Sequence, residues 1–204
     1  MTYDLWTRLF AEFMGTAIMV ALGNGSVANV DLKGTKGNGS DWMLIAVGYG
    51  AISGNHINPA FTIGLAVAGM FPWAEVVPDL LAQFAGAMFG QLWVVAAYKP
   101  HYDLTTDPRH ILGTFSTINA TSSKLNGFVN EFIGSFILFF GALGITKAPF
   151  FQNNLGTAHM ALGFLVGTLV ASFGGPTGPA LNPARDLSPR ILHALLPLKH
   201  KGSS

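Results

Sequence analysis

Asn58-Pro59-Ala60 and Asn182-Pro183-Ala184 are one tripeptide met twice in a chain of 204 residues. Each copy follows a stretch rich in small residues, Ser53-Gly54-Asn55-His56-Ile57 before the first and Gly174-Gly175-Pro176-Thr177-Gly178-Pro179-Ala180-Leu181 before the second. Each is followed by an apolar run of roughly three helical turns. Asparagine is a favoured N-cap, and proline is favoured at the first helical position, where its missing N–H would be unsatisfied anyway. Both copies therefore read as the start of a helix too short to cross a bilayer. In an apolar chain, a pair of such half-helices points to a pore whose centre is built from helix N-termini.

A second repeat encloses the first. Ala11-Glu12-Phe13-Met14-Gly15-Thr16 is echoed by Asn130-Glu131-Phe132-Ile133-Gly134-Ser135, and each opens a long apolar segment. The order Glu-Phe-x-Gly-Ser/Thr, apolar span, second span, Asn-Pro-Ala thus occurs twice. The expected organisation is one membrane domain over 1–204, with a first repeat over 1–98 and an incomplete second over 128–204.

Composition agrees with a membrane protein. Half the residues are hydrophobic and 10% are charged, against about 25% charged in soluble domains, and the mean hydropathy is +0.44. A net charge of +1 offers no electrostatic footprint for nucleic acid. There is no cysteine, which excludes disulfides, thiol nucleophiles and Cys-ligated metals. Arg8 ahead of an apolar run resembles a signal peptide, but the run extends to Val30 and carries Glu12, so it reads as a retained spanning helix.

The spans expected are Leu9–Val30, Trp42–Ile52, Val76–Tyr98, Phe128–Thr146 and Thr157–Phe173, with half-helices over Pro59–Gly69 and Pro183–Leu196. Asp31–Asp41, Lys99–Gly127 and Lys147–Gly156 read as polar connections. Gly86 with Gly90 and Gly163 with Gly167 place small residues one turn apart, which permits close helix approach in lipid. Glu131 precedes Asn182 by 51 residues, whereas Glu12 precedes Asn58 by 46. The shortfall falls in Trp42–Ile52, which at 1.5 Å per residue covers roughly 16 Å of a ~30 Å hydrocarbon core. The fold class expected is all-α, an inverted repeat of spanning helices with two half-helices, the second helix shortened and a sixth absent.

With these residues in view, the chain resembles the aquaporin or major intrinsic protein family over nearly its whole length. Arg185 directly after the second Asn-Pro-Ala is the most specific mark, and Asp186 after it is shared with the bacterial glycerol facilitators. The resemblance implies half-helices that meet at the bilayer midplane and homotetramers with one pore per subunit. It implies a passive channel for glycerol or similar uncharged polyols and water in a bacterial plasma membrane, with no cofactor. A water-selective channel and a truncated, non-conducting relic are the alternatives.

Facing half-helix N-termini would put two positive dipole ends at the pore centre. Asn58 and Asn182 would cap their own helices and still offer amide donors to a passing oxygen. By the resemblance, Arg185 belongs to a selectivity constriction whose other members fall on Tyr49, Val170 and Pro179. Val170 and Pro179 would leave an apolar, wider wall opposite the guanidinium. Glu12 and Glu131, inside spans, must be paired or neutral. The resemblance gives them, and His56, the task of bracing the half-helix loops. His56 has no histidine or carboxylate close to it in sequence, which argues against a metal site. His159 and Gln83 are expected to hydrogen-bond between helices. A hydrolytic pairing of Ser26, in Gly23-Asn24-Gly25-Ser26, with His56 or His159 would leave the repeat unexplained.

Overall fold

The computed structural model describes residues 3–50, 56–121 and 123–204. Among them are nine helices and no strand: α1 Leu5–Asp31, α2 Trp42–Gly50, α3 Pro59–Val67, α4 Trp73–Leu104, α5 Pro108–Gly113, α6 Lys124–Lys147, α7 Pro149–Gln152, α8 Leu155–Thr177 and α9 Pro183–Leu195. Four of them, α1, α4, α6 and α8, are long and apolar enough to cross a membrane.

The helices start where local capping chemistry allows. Asp4 accepts from the Thr7 N–H at 3.0 Å and starts α1 four residues before the apolar run. Ser123 accepts from the Asn126 N–H at 3.2 Å and does the same for α6. The span expected to stop at Tyr98 instead continues through Pro100 to Leu104. Tyr102, fully buried and hydrogen-bonded to Thr114 at 2.6 Å, anchors this last turn in a cluster with Leu32, Ile111 and Phe115. The connection expected over Lys99–Gly127 therefore holds the end of α4 and all of α5. The span expected over Trp42–Ile52 is helical to Gly50; Ile52 and the Ser53-Gly54-Asn55 stretch lie outside the described residues. Beyond α9, Lys201 donates to the carbonyls of His193, Ala194 and Leu196 at 2.9, 2.7 and 2.7 Å and closes that helix's C-terminus.

Backbone contact at small residues sets the helix crossings. A Cβ on Gly86 would strike the Phe13 carbonyl and one on Gly90 the Ala17 carbonyl, so α4 lies directly on α1. On the other side, Gly163 abuts the carbonyl of Gly50 and Gly167 that of Ala46, which brings α8 onto α2. In lipid such packing replaces the hydrophobic drive available in water. The outer face carries apolar side chains: Phe128, Phe132, Phe136 and Phe140 are exposed along one side of α6, stacked in pairs. That stripe would be a liability in water and is the expected surface against acyl chains.

Candidate functional site

The two Asn-Pro-Ala copies meet head to head. Asn58 caps α3, its Oδ1 accepting from the Ala60 and Phe61 N–H groups at 3.0 and 3.4 Å. Asn182 caps α9 in the same way, accepting from Ala184 and Arg185 at 3.0 and 3.2 Å. Each amide then reaches across: Asn58 Nδ2 donates to the Leu181 carbonyl at 2.8 Å, and Asn182 Nδ2 to the Ile57 carbonyl at 2.6 Å. An amide nitrogen has two hydrogens. One on each asparagine makes the crosswise bond, and both residues line a common cavity.

The residues that receive these bonds are held in an unusual backbone state. Ile57 has φ 44° and Leu181 φ 50°, the left-handed region that costs a side-chain-bearing residue about 1–2 kcal/mol. Each is pinned from both sides. The Ile57 carbonyl accepts from Asn182, while its N–H donates to Glu12 Oε2 at 2.7 Å. The Leu181 carbonyl accepts from Asn58, while its N–H donates to Glu131 Oε2 at 2.9 Å. Glu12 also accepts from the His56 N–H at 2.7 Å and from Gln83 Nε2 at 2.8 Å. Glu131 accepts from the Ala180 N–H at 3.0 Å and the Thr177 hydroxyl at 2.7 Å. The two carboxylates thus sit in equivalent places in the two halves, each turned toward backbone donors.

His56 has a carboxylate partner after all. Its Nδ1 lies 3.2 Å from Asp79 Oδ2 and 3.1 Å from the Thr62 hydroxyl. Asp79 lies 23 residues downstream, on α4, so adjacency in sequence could not show it. Glu12, His56 and Asp79 bring potential metal-ligand atoms within 4.8 Å of one another. Thr62 and Gln83 donate into the same group at 2.9 and 3.1 Å, so Asp79 Oδ2 is already crowded with hydrogen bonds. Gln83 joins α4 to α1 and α3 as the interhelical bond expected of it. His159 is exposed and makes no hydrogen bond among the described residues, because α8 turns it outward. Ser26 donates to the Gly23 carbonyl at 2.6 Å, a local helix bond.

Arg185 is buried and its guanidinium stacks 4.7 Å from the centre of the Tyr49 ring. Its Nη2 donates to the Tyr49 hydroxyl. Its Nη1 has no hydrogen-bond partner among the described residues, with Asp186 3.6 Å away. Asp186 instead accepts from the N–H and hydroxyl of Thr117 at 2.7 and 2.8 Å, which ties the connecting segment over the end of α9. The Val170 carbonyl is taken by Trp42 Nε1 at 3.0 Å, so its side chain is left as an apolar wall.

The cavities give these residues their meaning. An outer cavity of about 400 Å³ is bordered by Asp31, Trp42, His110 and Thr117. An inner one of about 100 Å³ is bordered by Met19, His56, Asn58, Leu162 and Asn182. The residues common to both are Tyr49, Val170, Pro179 and Arg185. A third cavity, of about 380 Å³, meets the inner one at His56, Phe61 and Leu162. Sequence reasoning missed Asn24, Gln91 and Asp79, which stand behind this row of cavities. A polar side chain inside a spanning helix was the signal available for each.

A profile of the major intrinsic protein family matches residues 1–198. Glycerol uptake facilitator protein-like 5 of Lactiplantibacillus plantarum is 51% identical, over the whole of this chain and 88% of that protein. That alignment runs over 221 positions, more than this chain's 204 residues, so the relative carries residues where this chain has none. The glycerol facilitator-aquaporin of Lactococcus lactis is 44% identical over 98% of this chain and 89% of that protein. Among solved structures, the aquaglyceroporin from Plasmodium falciparum superposes with a TM-score of 0.79 at 28% identity, covering 97% of this chain and 85% of that one. With four apolar spans and bacterial relatives of this kind, the chain is a multi-pass protein of a bacterial cell membrane.

Proposed function

The chain belongs to the major intrinsic protein family, and on that premise we propose that it is a passive channel for glycerol and similar small uncharged polyols, and for water, closed to ions and protons. The observation that carries this reading is the boundary between the outer and inner cavities, formed by Tyr49, Val170, Pro179 and Arg185. A polyol can turn its hydroxyl oxygens to Arg185 and slide its carbon backbone along Val170 and Pro179. Relatives named as glycerol uptake facilitators support the same solute.

Past the constriction, the second amide hydrogens of Asn58 and Asn182, the latter facing only the weak acceptor Met19 Sδ at 3.8 Å, hand a solute oxygen onward at the junction of two half-helix N-termini. The positive dipole ends oppose cations and the reorientation of a proton-carrying water wire. Glu12 and Glu131 do not undo this field, because their oxygens are engaged by backbone N–H groups away from the solute path. The duplicated organisation, 1–98 and 128–204, and a homotetrameric assembly with one pore per subunit belong to the same proposal. Uptake of labelled glycerol by cells expressing the chain tests it. Uptake faster than in cells carrying an Arg185→Glu variant at equal membrane level is expected, and equal rates would refute it.

A further inference from the structure

Asn24 lies on α1, fully buried, and lines neither of the two cavities that meet at Tyr49 and Arg185. Each polar atom of its carboxamide is nonetheless engaged. Nδ2 donates to Gln91 Oε1 at 2.6 Å and to the Phe115 carbonyl at 3.2 Å. Oδ1 accepts from the Tyr49 hydroxyl. That hydroxyl in turn accepts from Arg185 Nη2. One hydrogen-bonded chain therefore runs Gln91, Asn24, Tyr49, Arg185 and joins α4, α1, α2 and α9. Gly23 completes the seat, since a Cβ there would collide with the Tyr49 ring.

The direction of the protons in this chain matters. The Phe115 carbonyl can only accept, so Asn24 presents its nitrogen to that carbonyl and to Gln91 and its oxygen to α2. The Tyr49 hydrogen is then committed to Asn24, and the phenolic oxygen can only accept. Arg185 satisfies that acceptor with one Nη2 hydrogen, and its remaining N–H groups, including an Nη1 with no hydrogen-bond partner among the described residues, are the donors left beside the constriction. A tyrosine without Asn24 would turn its hydroxyl hydrogen toward the solute path. Its ring would no longer be fixed against α1.

We infer that Asn24 is a positioning residue for solute selection: acting through Tyr49, it fixes the aperture and leaves Arg185 as the sole side-chain donor there. The inference rests on the channel reading above. Replacement by an apolar residue should alter which solutes pass, and only while the Tyr49 hydroxyl is present.

The test is a double-mutant cycle on the full chain in proteoliposomes, reading the ratio of glycerol to water permeability by stopped-flow light scattering. Asn24→Leu is expected to shift that ratio severalfold in the wild-type background and to leave it unchanged in a Tyr49→Phe background. No shift in the wild-type background, or the same shift in both, overturns the inference. If Asn24→Leu does not fold, Gln91→Leu is read in the same cycle, since it removes the nearer of the two acceptors that hold the Asn24 nitrogen. Failure of both variants to fold would assign Asn24 a structural role only and also overturn it. Wild-type protein without glycerol flux above protein-free vesicles would instead defeat the channel reading, and this inference with it.

Discussion

Asn58 donates to the carbonyl of Leu181, the residue immediately before Asn182, at 2.8 Å, and Asn182 returns the bond to Ile57, immediately before Asn58, at 2.6 Å. The exchange explains why two residues with side chains occupy the left-handed region. That conformation turns each carbonyl toward the opposite half-helix and each N–H toward a glutamate, the buried Glu12 or the half-buried Glu131. The local cost is offset by hydrogen bonds that neither half-helix could make alone.

Replacing Asn182 by Asp separates capping from this exchange. Aspartate caps as well as asparagine, so α9 should still form. The donor to the Ile57 carbonyl is lost, and a buried acceptor left without its partner costs about 1–3 kcal/mol. Asn182→Asp should therefore lower the thermal unfolding temperature in detergent, and in vesicles should admit cations or lose water flux. Wild-type stability with wild-type flux and conductance would show that residue 182 is an ordinary cap.

Val170→His addresses the constriction. The backbone at 170 is fixed by Trp42, so the new imidazole would add bulk and a donor opposite Arg185. Glycerol flux should fall severalfold while water flux falls less. Equal loss of both fluxes from folded protein would mean that residue 170 does not select between them.

Packing of α1 on α4 can be tested at one glycine against another. At Gly90 a Cβ would meet the Ala17 backbone carbonyl, which cannot rotate away, so Gly90→Ala should destabilise by about 1–3 kcal/mol or prevent insertion. At Gly144 on α6 nothing among the described residues lies within 4 Å of an added Cβ, and Gly144→Ala should be neutral or stabilising by up to about 1 kcal/mol. Equal thermal shifts for the two variants would contradict the close crossing.

Much of this was written locally in the sequence. Asn-Pro-Ala announces a capped half-helix within three residues, and one-turn glycine pairs announce a crossing without naming the partner. The termini of α1 and α6 were also local, in Asp4 and Ser123, but the apolar run outweighed them. What was not legible depends on partners far along the chain. Asp79 reaches His56 across 23 residues, Asn24 reaches Gln91 across 67, and Arg185 reaches Tyr49 across 136. No period or motif encodes such pairs; they arise when helices cross. Tyr102 shows the same limit, since its burial carries α4 past Pro100 although the local signal says stop.

The central claim is that glycerol crosses the membrane through the constriction at Arg185. Proteoliposomes mixed rapidly with hyperosmotic glycerol test it most directly, because light scattering follows shrinkage as water leaves and reswelling as glycerol enters. Vesicles holding this protein should shrink and then reswell far faster than protein-free vesicles. Shrinkage with reswelling no faster than in protein-free vesicles would contradict a glycerol channel.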